Sequence, residues 1–339
     1  MRKAALIAVP HDWSKIGHVV APLGESAFSR VTYGNSVDSF VVEKAKDDPL
    51  VVLIGGAGTH EVLKEVLEWK DASGAKRVKW VHSYWTGVDA FRVTALKEQF
   101  GQTPLTNARG VFSAMLAEHV VLASLYFNRM VWRLHANRRA KNYERYPCIP
   151  GADQTMGIIG YGEIGRAVAK HAIGGMGVKV KGQRSREPDE TTDDLGAALL
   201  YGPSGLAEIL ATCDIVVAVL PLTPSTSHML RREHFQAMKP TAIFVNIGRG
   251  ATIVEDDLVE ALQAGEIRGA ALDVFEVEPL PASSRLWDVD DSKLLLSPHN
   301  ADISEHSYAD GVLQFAEAAK KFAETNEVPD YRVNLDRGY

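Results

Sequence analysis

Three side chains able to move a proton or hold an anion stand just beyond apolar runs: Arg249 after residues 242–247, Glu278 after residues 269–274, and His299 after residues 293–296. Each has a plain reading alone. Arg249 could pair with an acid, Glu278 could cap a turn, and His299 is one of eleven histidines. Together they suit one chemistry. A guanidinium can grip a carboxylate through paired hydrogen bonds and orient the adjacent carbonyl, and an imidazole can give or take a proton near neutral pH. A nearby carboxylate would stabilise the imidazolium. Hydride addition to a ketone leaves an alkoxide needing a proton, which His299 could supply, acting as the base in reverse. This set requires no metal.

Such a reaction needs a hydride source, and residues 155–186 offer a place for one. The apolar run 156–159 leads into Gly160-Tyr161-Gly162-Glu163-Ile164-Gly165, followed by an Ala/Val-rich helical stretch to Ile173, closed by Gly174-Gly175, and an alternating run at 178–182. This spacing predicts a βαβ unit: Gly160 for the sharp turn, Gly162 for close approach to a pyrophosphate, Gly165 for helix–strand packing. The orphan N–H groups and positive dipole end of the helix would face the phosphates, with Gly162, Glu163 and Ile164 as cofactor-binding residues. About twenty residues beyond the glycines, where an acidic side chain usually meets the ribose, stand Arg184, Ser185 and Arg186. Two guanidinium groups and a hydroxyl suit a 2′-phosphate, so NADP(H) is expected over NAD(H), with NAD(H) use possible. The alternative is a solvated basic loop.

At 339 residues, 46% hydrophobic and 24% charged, the chain is long enough for two ordinary domains. Its net charge of -6 argues against a general nucleic-acid partner. Residues 129–146 interleave Arg133, Arg138, Arg139, Lys141 and Arg145 with Trp132, Tyr143 and Tyr146. That pattern can bind single-stranded nucleic acid, but an interface arm with solvated charges is the simpler reading. Cys148 and Cys213 form no disulfide framework, and Cys213 reads as a buried thiol. The basic start Met1-Arg2-Lys3 precedes a run too short for a signal peptide, which reads as a first strand. No stretch is long enough for a membrane span. A soluble, reducing, cytoplasmic setting is expected.

Further elements must place the reactive residues. Runs at 5–9, 39–42, 50–54 and 78–81, with a helix over 61–69, suggest a first small α/β domain. A long helix is expected from about residue 110 to 136, with Ala117, Val120, Val121, Leu125 and Met130 as its buried stripe. Residues 187–205 read as polar turns before a helix at 206–212 and a strand at 215–220. Glycine loops such as Gly55-Gly56 at strand ends are natural ligand edges.

The ordered set Asn107-Ala108-Arg109-Gly110, the glycine turn, Leu220-Pro221-Leu222-Thr223-Pro224, Asn246-Ile247-Gly248-Arg249-Gly250, Leu272-Asp273-Val274-Phe275, Glu278-Pro279 and Ser297-Pro298-His299 resembles the D-2-hydroxyacid dehydrogenase family. Arg184-Ser185-Arg186, residues 80–89 and Arg337-Gly338-Tyr339 look like its NADPH-preferring glyoxylate/hydroxypyruvate reductase branch. The resemblance implies two doubly wound, Rossmann-like or flavodoxin-like α/β domains with the active site in the cleft between them. Residues 1–106 would form the substrate domain, completed by 303–339, and residues 107–302 the dinucleotide domain. It implies Arg249, Glu278 and His299 as the catalytic triad and Asp273 at the nicotinamide amide. Leu220, Pro221, Thr226, Ile247 and Ala301 would line the cofactor. Backbone groups of Gly55, Gly56, Trp85, Thr86 and Gly87 would surround a small 2-keto or 2-hydroxy acid. A homodimer is implied, although residues 141–154 depart from the family's tryptophan-containing linker. The competing function is a nucleotide-sensing corepressor of the same fold, or a dehydrogenase for a bulkier 2-keto acid. A formate dehydrogenase fits less well, because that relative has Gln where this chain has Glu278.

Overall fold

The computed structural model describes residues 3–187 and 190–339. Met1 and Arg2 of the basic start, and Pro188 and Asp189 of the polar stretch, lie outside the described residues. The chain divides into two units, one of Met1–Phe112 with Ser304–Tyr339 and one of Ser113–Ile303.

In the first unit five parallel strands, β1 (Ala5–Val9), β2 (Val31–Tyr33), β3 (Leu50–Ile54), β4 (Val78–Ser83) and β5 (Leu105–Asn107), form a sheet in the order β2-β1-β3-β4-β5. Strands β1 and β3 are buried on both faces, which is why they read as unbroken apolar runs. Ala5, Ile7, Val9, Val52 and Ile54 pack on one side with Val62, Leu63 and Val66 of the helix Thr59–Val66. Leu6, Ala8, Val51, Leu53 and Trp80 pack on the other with Val312, Phe315, Ala319 and Phe322. Those last four belong to the helix Ser307–Thr325, so the end of the chain completes the core begun at its start.

The second unit holds β6 (Thr155–Ile159), β7 (Lys179–Arg184), β8 (Ala198–Tyr201), β9 (Ile215–Ala218), β10 (Ile243–Asn246), β11 (Gly269–Leu272) and β12 (Leu294–Leu296), all parallel, in the order β12-β11-β10-β9-β6-β7-β8. Chain order reverses between β6 and β9, the switch point at which open parallel sheets bind ligands. Both sheets are thus of the doubly wound α/β kind. Among the described residues no helix is long and apolar enough to cross a membrane.

Several local expectations are corrected. Residues 37–44 form a 3-10 turn and a helical turn, where the apolar run at 39–42 suggests a strand. The edge strand β2 carries little apolar signal because it is only half-buried, and Ala198–Tyr201 form the strand β8 within the stretch 187–205 that reads as polar turns. Ion pairs anchor β2 instead: Arg30 bonds Glu43 and Asp48, both at 2.6 Å, and Thr32 donates to Glu43 at 3.0 Å. The long helix ends at Asn128, whose carbonyl accepts the N–H of Ile149 at 3.1 Å rather than continuing the helical ladder. Met130 then takes a positive φ of 50° and a second helix, Val131–Arg139, starts with no buried residue. Gly174-Gly175 do not end the helix Glu163–Met176 that follows the glycine turn; it continues to Met176 and is closed by Gly177 at φ 70°. The core strands are shorter than their apolar runs, β9 ending at Ala218 and β11 at Leu272.

One buried polar group makes the first unit sensitive to acid. His82 on β4 is fully buried, its Nδ1 lies 2.7 Å from the hydroxyl of Thr106, and its Nε2 has no partner among the described residues. Burial pushes its pKa down to about 3 from 6.5. The unfolded chain therefore binds a proton below pH 6.5 that the folded chain refuses until near pH 3. Stability is full above pH 6.5 and falls as pH drops, with a slope approaching about 1.4 kcal/mol per pH unit. Denaturant midpoints of wild type and His82→Leu at pH 7.5 and 5 should differ in this acid slope; parallel curves would disprove the assignment.

Candidate active site

Along the carboxyl edge of the second sheet the expected residues follow the strands in spatial order: His299 after β12, Asp273 and Glu278 after β11, Arg249 after β10, Leu220 after β9, Gly160 and Gly162 after β6, Arg184 at the end of β7. Parallel strands all leave toward one edge, so residues far apart in sequence meet there.

Nδ1 of His299 lies 2.7 Å from Oε2 of Glu278, and Oε1 of Glu278 accepts the N–H of Phe275 at 2.9 Å. A carboxylate only accepts, so Nδ1 carries the hydrogen and Nε2 is the nitrogen available to exchange a proton with a ligand. His299 adopts φ +50°, a conformation uncommon for a residue with a side chain. What holds it there is Asp273, only 2% exposed. Its Oδ1 accepts from the Ser297 hydroxyl at 2.7 Å and the Asn300 N–H at 3.1 Å, while Oδ2 accepts the Ala301 N–H at 3.1 Å. Three bonds to one carboxylate thus clamp both sides of the His299 loop.

Since Ser297 donates to Asp273, its oxygen accepts from Nε2 of His119 at 3.2 Å. Burial lowers His119 below the ordinary histidine range, opposed by the Asp273 charge. Nothing in the sequence singles out His119, a lone histidine in a helix whose partner lies 178 residues away. Asp302 is a second residue not foreseen. Burial pushes its carboxyl up, against the pull of His299 and Arg249, while Asp273 pushes it further up.

Arg249 stands between two glycines, each jammed against a neighbouring loop. A Cβ on Gly248 would lie 2.6 Å from the Leu220 carbonyl oxygen, and one on Gly250 would collide with the Phe275 backbone. The Gly-Arg-Gly run is therefore wedged between the loop after β9 and the loop bearing Glu278. Asn246 braces it, its Oδ1 accepting the Gly248 N–H at 3.1 Å and its Nδ2 donating to the Arg249 carbonyl at 3.2 Å.

At the switch point Gly160 has φ +93°, and Gly165 would bring a Cβ to 2.8 Å from the Gly160 carbonyl oxygen. A Cβ on Gly162, by contrast, would meet no heavy atom within 4 Å among the described residues. The helix Glu163–Met176 starts there without a capping side chain, leaving the N–H groups of its first turn, including Glu163 and Ile164, for a ligand. An open cradle at the positive end of a helix suits a pyrophosphate. Arg184 is half-buried and its Nε donates to the Tyr161 carbonyl at 3.0 Å; Ser185 and Arg186 are exposed. Thr226 closes the loop after β9, its hydroxyl donating to Pro221 O at 2.6 Å, and Ile247 is buried. Among the described residues no group of His, Cys, Asp or Glu could hold a metal ion.

In the first unit, Trp85 joins two strand-end loops, its Nε1 donating to Gly55 O at 3.0 Å. The N–H groups of Gly55 and Gly56 both donate to Val9 O, at 3.1 and 3.0 Å. They are already satisfied. Thr86 is braced at its carbonyl by Asn107 at 2.6 Å and through its hydroxyl to Ala108 O at 3.1 Å. Gly87 follows it directly.

A Rossmann-type sheet with a phosphate-ready glycine turn and an acid–base pair on one edge defines an NAD(P)-dependent oxidoreductase acting on CH–OH groups. Residues 121–301 match the family described as D-isomer specific 2-hydroxyacid dehydrogenase, NAD binding domain, and the chain belongs to that family. It is 32% identical over 310 residues to a glyoxylate reductase of Thermococcus onnurineus, covering 87% of this chain and 86% of that one. It is 35% identical over 225 residues to glyoxylate/hydroxypyruvate reductase B of Pectobacterium carotovorum, covering 63% and 67%. A D-isomer specific 2-hydroxyacid dehydrogenase from Xanthobacter autotrophicus, solved in complex with NADPH and MES, superposes over 100% of both chains with a TM-score of 0.77 and 25% identity.

Replacing Asp273 by Asn puts an NH₂ where the Ala301 N–H now finds an acceptor. An unsatisfied buried donor costs about 1–3 kcal/mol, and an ångström of drift in His299 costs about 10²-fold in rate. Asp273→Asn should lower both Tm and kcat; wild-type values of both would show that the clamp is unimportant.

Proposed function

We propose that the protein reduces a small 2-keto acid of the glyoxylate or hydroxypyruvate type to the D-2-hydroxy acid, with NADP(H) preferred and NAD(H) possible. The observation that carries this reading is the 2.7 Å His299–Glu278 pair, which leaves Nε2 of the imidazole for a substrate oxygen, beside the strand end that bears Arg249.

The dihydronicotinamide, when bound, supplies the hydride. Arg249 grips the substrate carboxylate with a two-pronged hydrogen bond and so orients the neighbouring carbonyl. His299 gives its Nε2 proton to the oxygen as negative charge builds there, and takes it back in the oxidative direction. Glu278 keeps the ring in the required tautomer and balances the imidazolium charge. Asp273 maintains the His299 loop and faces the nicotinamide amide, while Leu220, Pro221, Thr226, Ile247 and Ala301 line the cofactor. Arg184, Ser185 and Arg186 receive the 2′-phosphate.

The unit containing β1 to β5 serves as the substrate domain. Because the Gly55 and Gly56 amides are taken by Val9, the Trp85-Thr86-Gly87 segment is the better source of backbone contacts to the substrate. The names of the relatives support the small-keto-acid assignment. The arm after Asn128, with Leu134 and Tyr143 exposed, supports a homodimer. Two free cysteines suit a cytoplasmic setting.

A panel of 2-oxo acids of graded size, assayed with NADPH and NADH, should give the highest kcat/KM for the two- and three-carbon substrates with NADPH. Tight NADPH binding without turnover on any of them would favour a sensing role instead. His299→Ala should lose about 10²–10⁴ in kcat with little change in NADPH affinity, and near-normal turnover would end its acid–base role. Arg249→Lys should chiefly raise KM and impair orientation, since a point charge replaces a planar fork.

A further inference from the structure

Tyr161, the middle residue of the Gly160-Tyr161-Gly162 turn, is 2% exposed and makes three contacts that the cofactor reading does not use. Its ring lies so close over Gly182 of β7 that a Cβ there would strike it. The Arg184 guanidinium lies 5.5 Å from the ring centroid, and Arg184 Nε donates to the Tyr161 carbonyl at 3.0 Å. The phenol donates to Oδ2 of Asp193 at 2.7 Å. Asp193 in turn is saturated: Oδ2 also accepts from Arg166 Nη1 at 2.7 Å, and Oδ1 accepts the N–H groups of Leu195 and Ala197, both at 3.0 Å. Its side chain is only 6% exposed. One buried carboxylate therefore ties together the glycine turn, the first turn of the following helix and the loop that precedes β8.

We infer that Tyr161, Asp193 and Arg166 are positioning residues for Arg184 and so set the preference for a 2′-phosphorylated cofactor. The inference rests on the proposed NADPH reading and deepens it. A free arginine side chain must be ordered on binding, at a cost of about 0.5–1.5 kcal/mol. Arg184 is already held at its Nε and across its guanidinium face, so its two Nη groups meet a phosphate with little left to order. The hold depends on Tyr161, which is kept flat on Gly182 by its bond to Asp193. NADH lacks the 2′-phosphate that these nitrogens would meet, so slackening the node should penalise NADPH and largely spare NADH.

The experiment compares kcat/KM and dissociation constants for NADPH and NADH in the wild type, Arg184→Ala, Tyr161→Phe, Tyr161→Leu and Asp193→Asn. Arg184→Ala should lose about ten- to a hundredfold of the NADPH/NADH ratio, as expected for one charge-assisted bond. Tyr161→Phe keeps the ring and should lose about two- to threefold, whereas Tyr161→Leu and Asp193→Asn should approach tenfold, with smaller changes for NADH. If Arg184→Ala abolishes the preference while the other three keep it within twofold, the positioning role is overturned and the phosphate site stands. Equal losses with both cofactors would make the node merely structural and also overturn it. A wild type without NADPH preference would instead remove the underlying reading.

Discussion

The candidate active-site edge of the second sheet depends on a buried carboxylate. Asp273 has no exposure to speak of and spends both oxygens on the loop that carries His299. A charge in that position is tolerable only because its hydrogen bonds are complete. The return is geometric: His299 keeps a left-handed backbone and Nδ1 stays against Glu278. The same device recurs at Asp193, where one carboxylate collects two loop amides, a phenol and a guanidinium beside the glycine turn. In both places a parallel sheet provides rigid strand ends, and an acid gathers the loops that continue from them.

Close backbone packing is the second constraint. The loop after β10 fits between its neighbours only because Gly248 and Gly250 lack side chains. The backbone at Arg249 is consequently placed by main-chain contacts on both sides, and its Nη1 donates to Gly248 O at 2.8 Å. Glu278 is tied to the Phe275 amide, and Phe275 is the residue against which Gly250 packs. His299, Glu278 and Arg249 thus stand on loops that share a single backbone framework, and a shift in one loop is felt by the others.

How much of this is legible in the sequence varies with the kind of signal. Strands buried on both faces, such as β1 and β3, announce themselves as apolar runs whose ends match the strands to the residue. The edge strand β2 does not, because much of its surface meets solvent and ion pairs replace apolar burial, and the four apolar residues of β8 are too short a run to stand out from the polar stretch around them. The break at Met130 is invisible to helical periodicity, and the Asn128 carbonyl beside it is taken by the N–H of Ile149, distant along the chain.

Residue type and spacing alone determined the family's motifs: the three glycines, the arginine–serine–arginine run beyond them, and a cation, an acid and an imidazole beyond successive apolar runs. These are local, because a tight turn or a strand end constrains only its own neighbours. Tertiary structure decided what binds what across long separations. It paired His119 with Ser297, spent the Gly55 and Gly56 amides on Val9, and placed Asp193 under Tyr161. Hydrogen-bond partners chosen by the packing of one strand beside another leave no periodicity in the chain, and only the folded sheet brings them within reach.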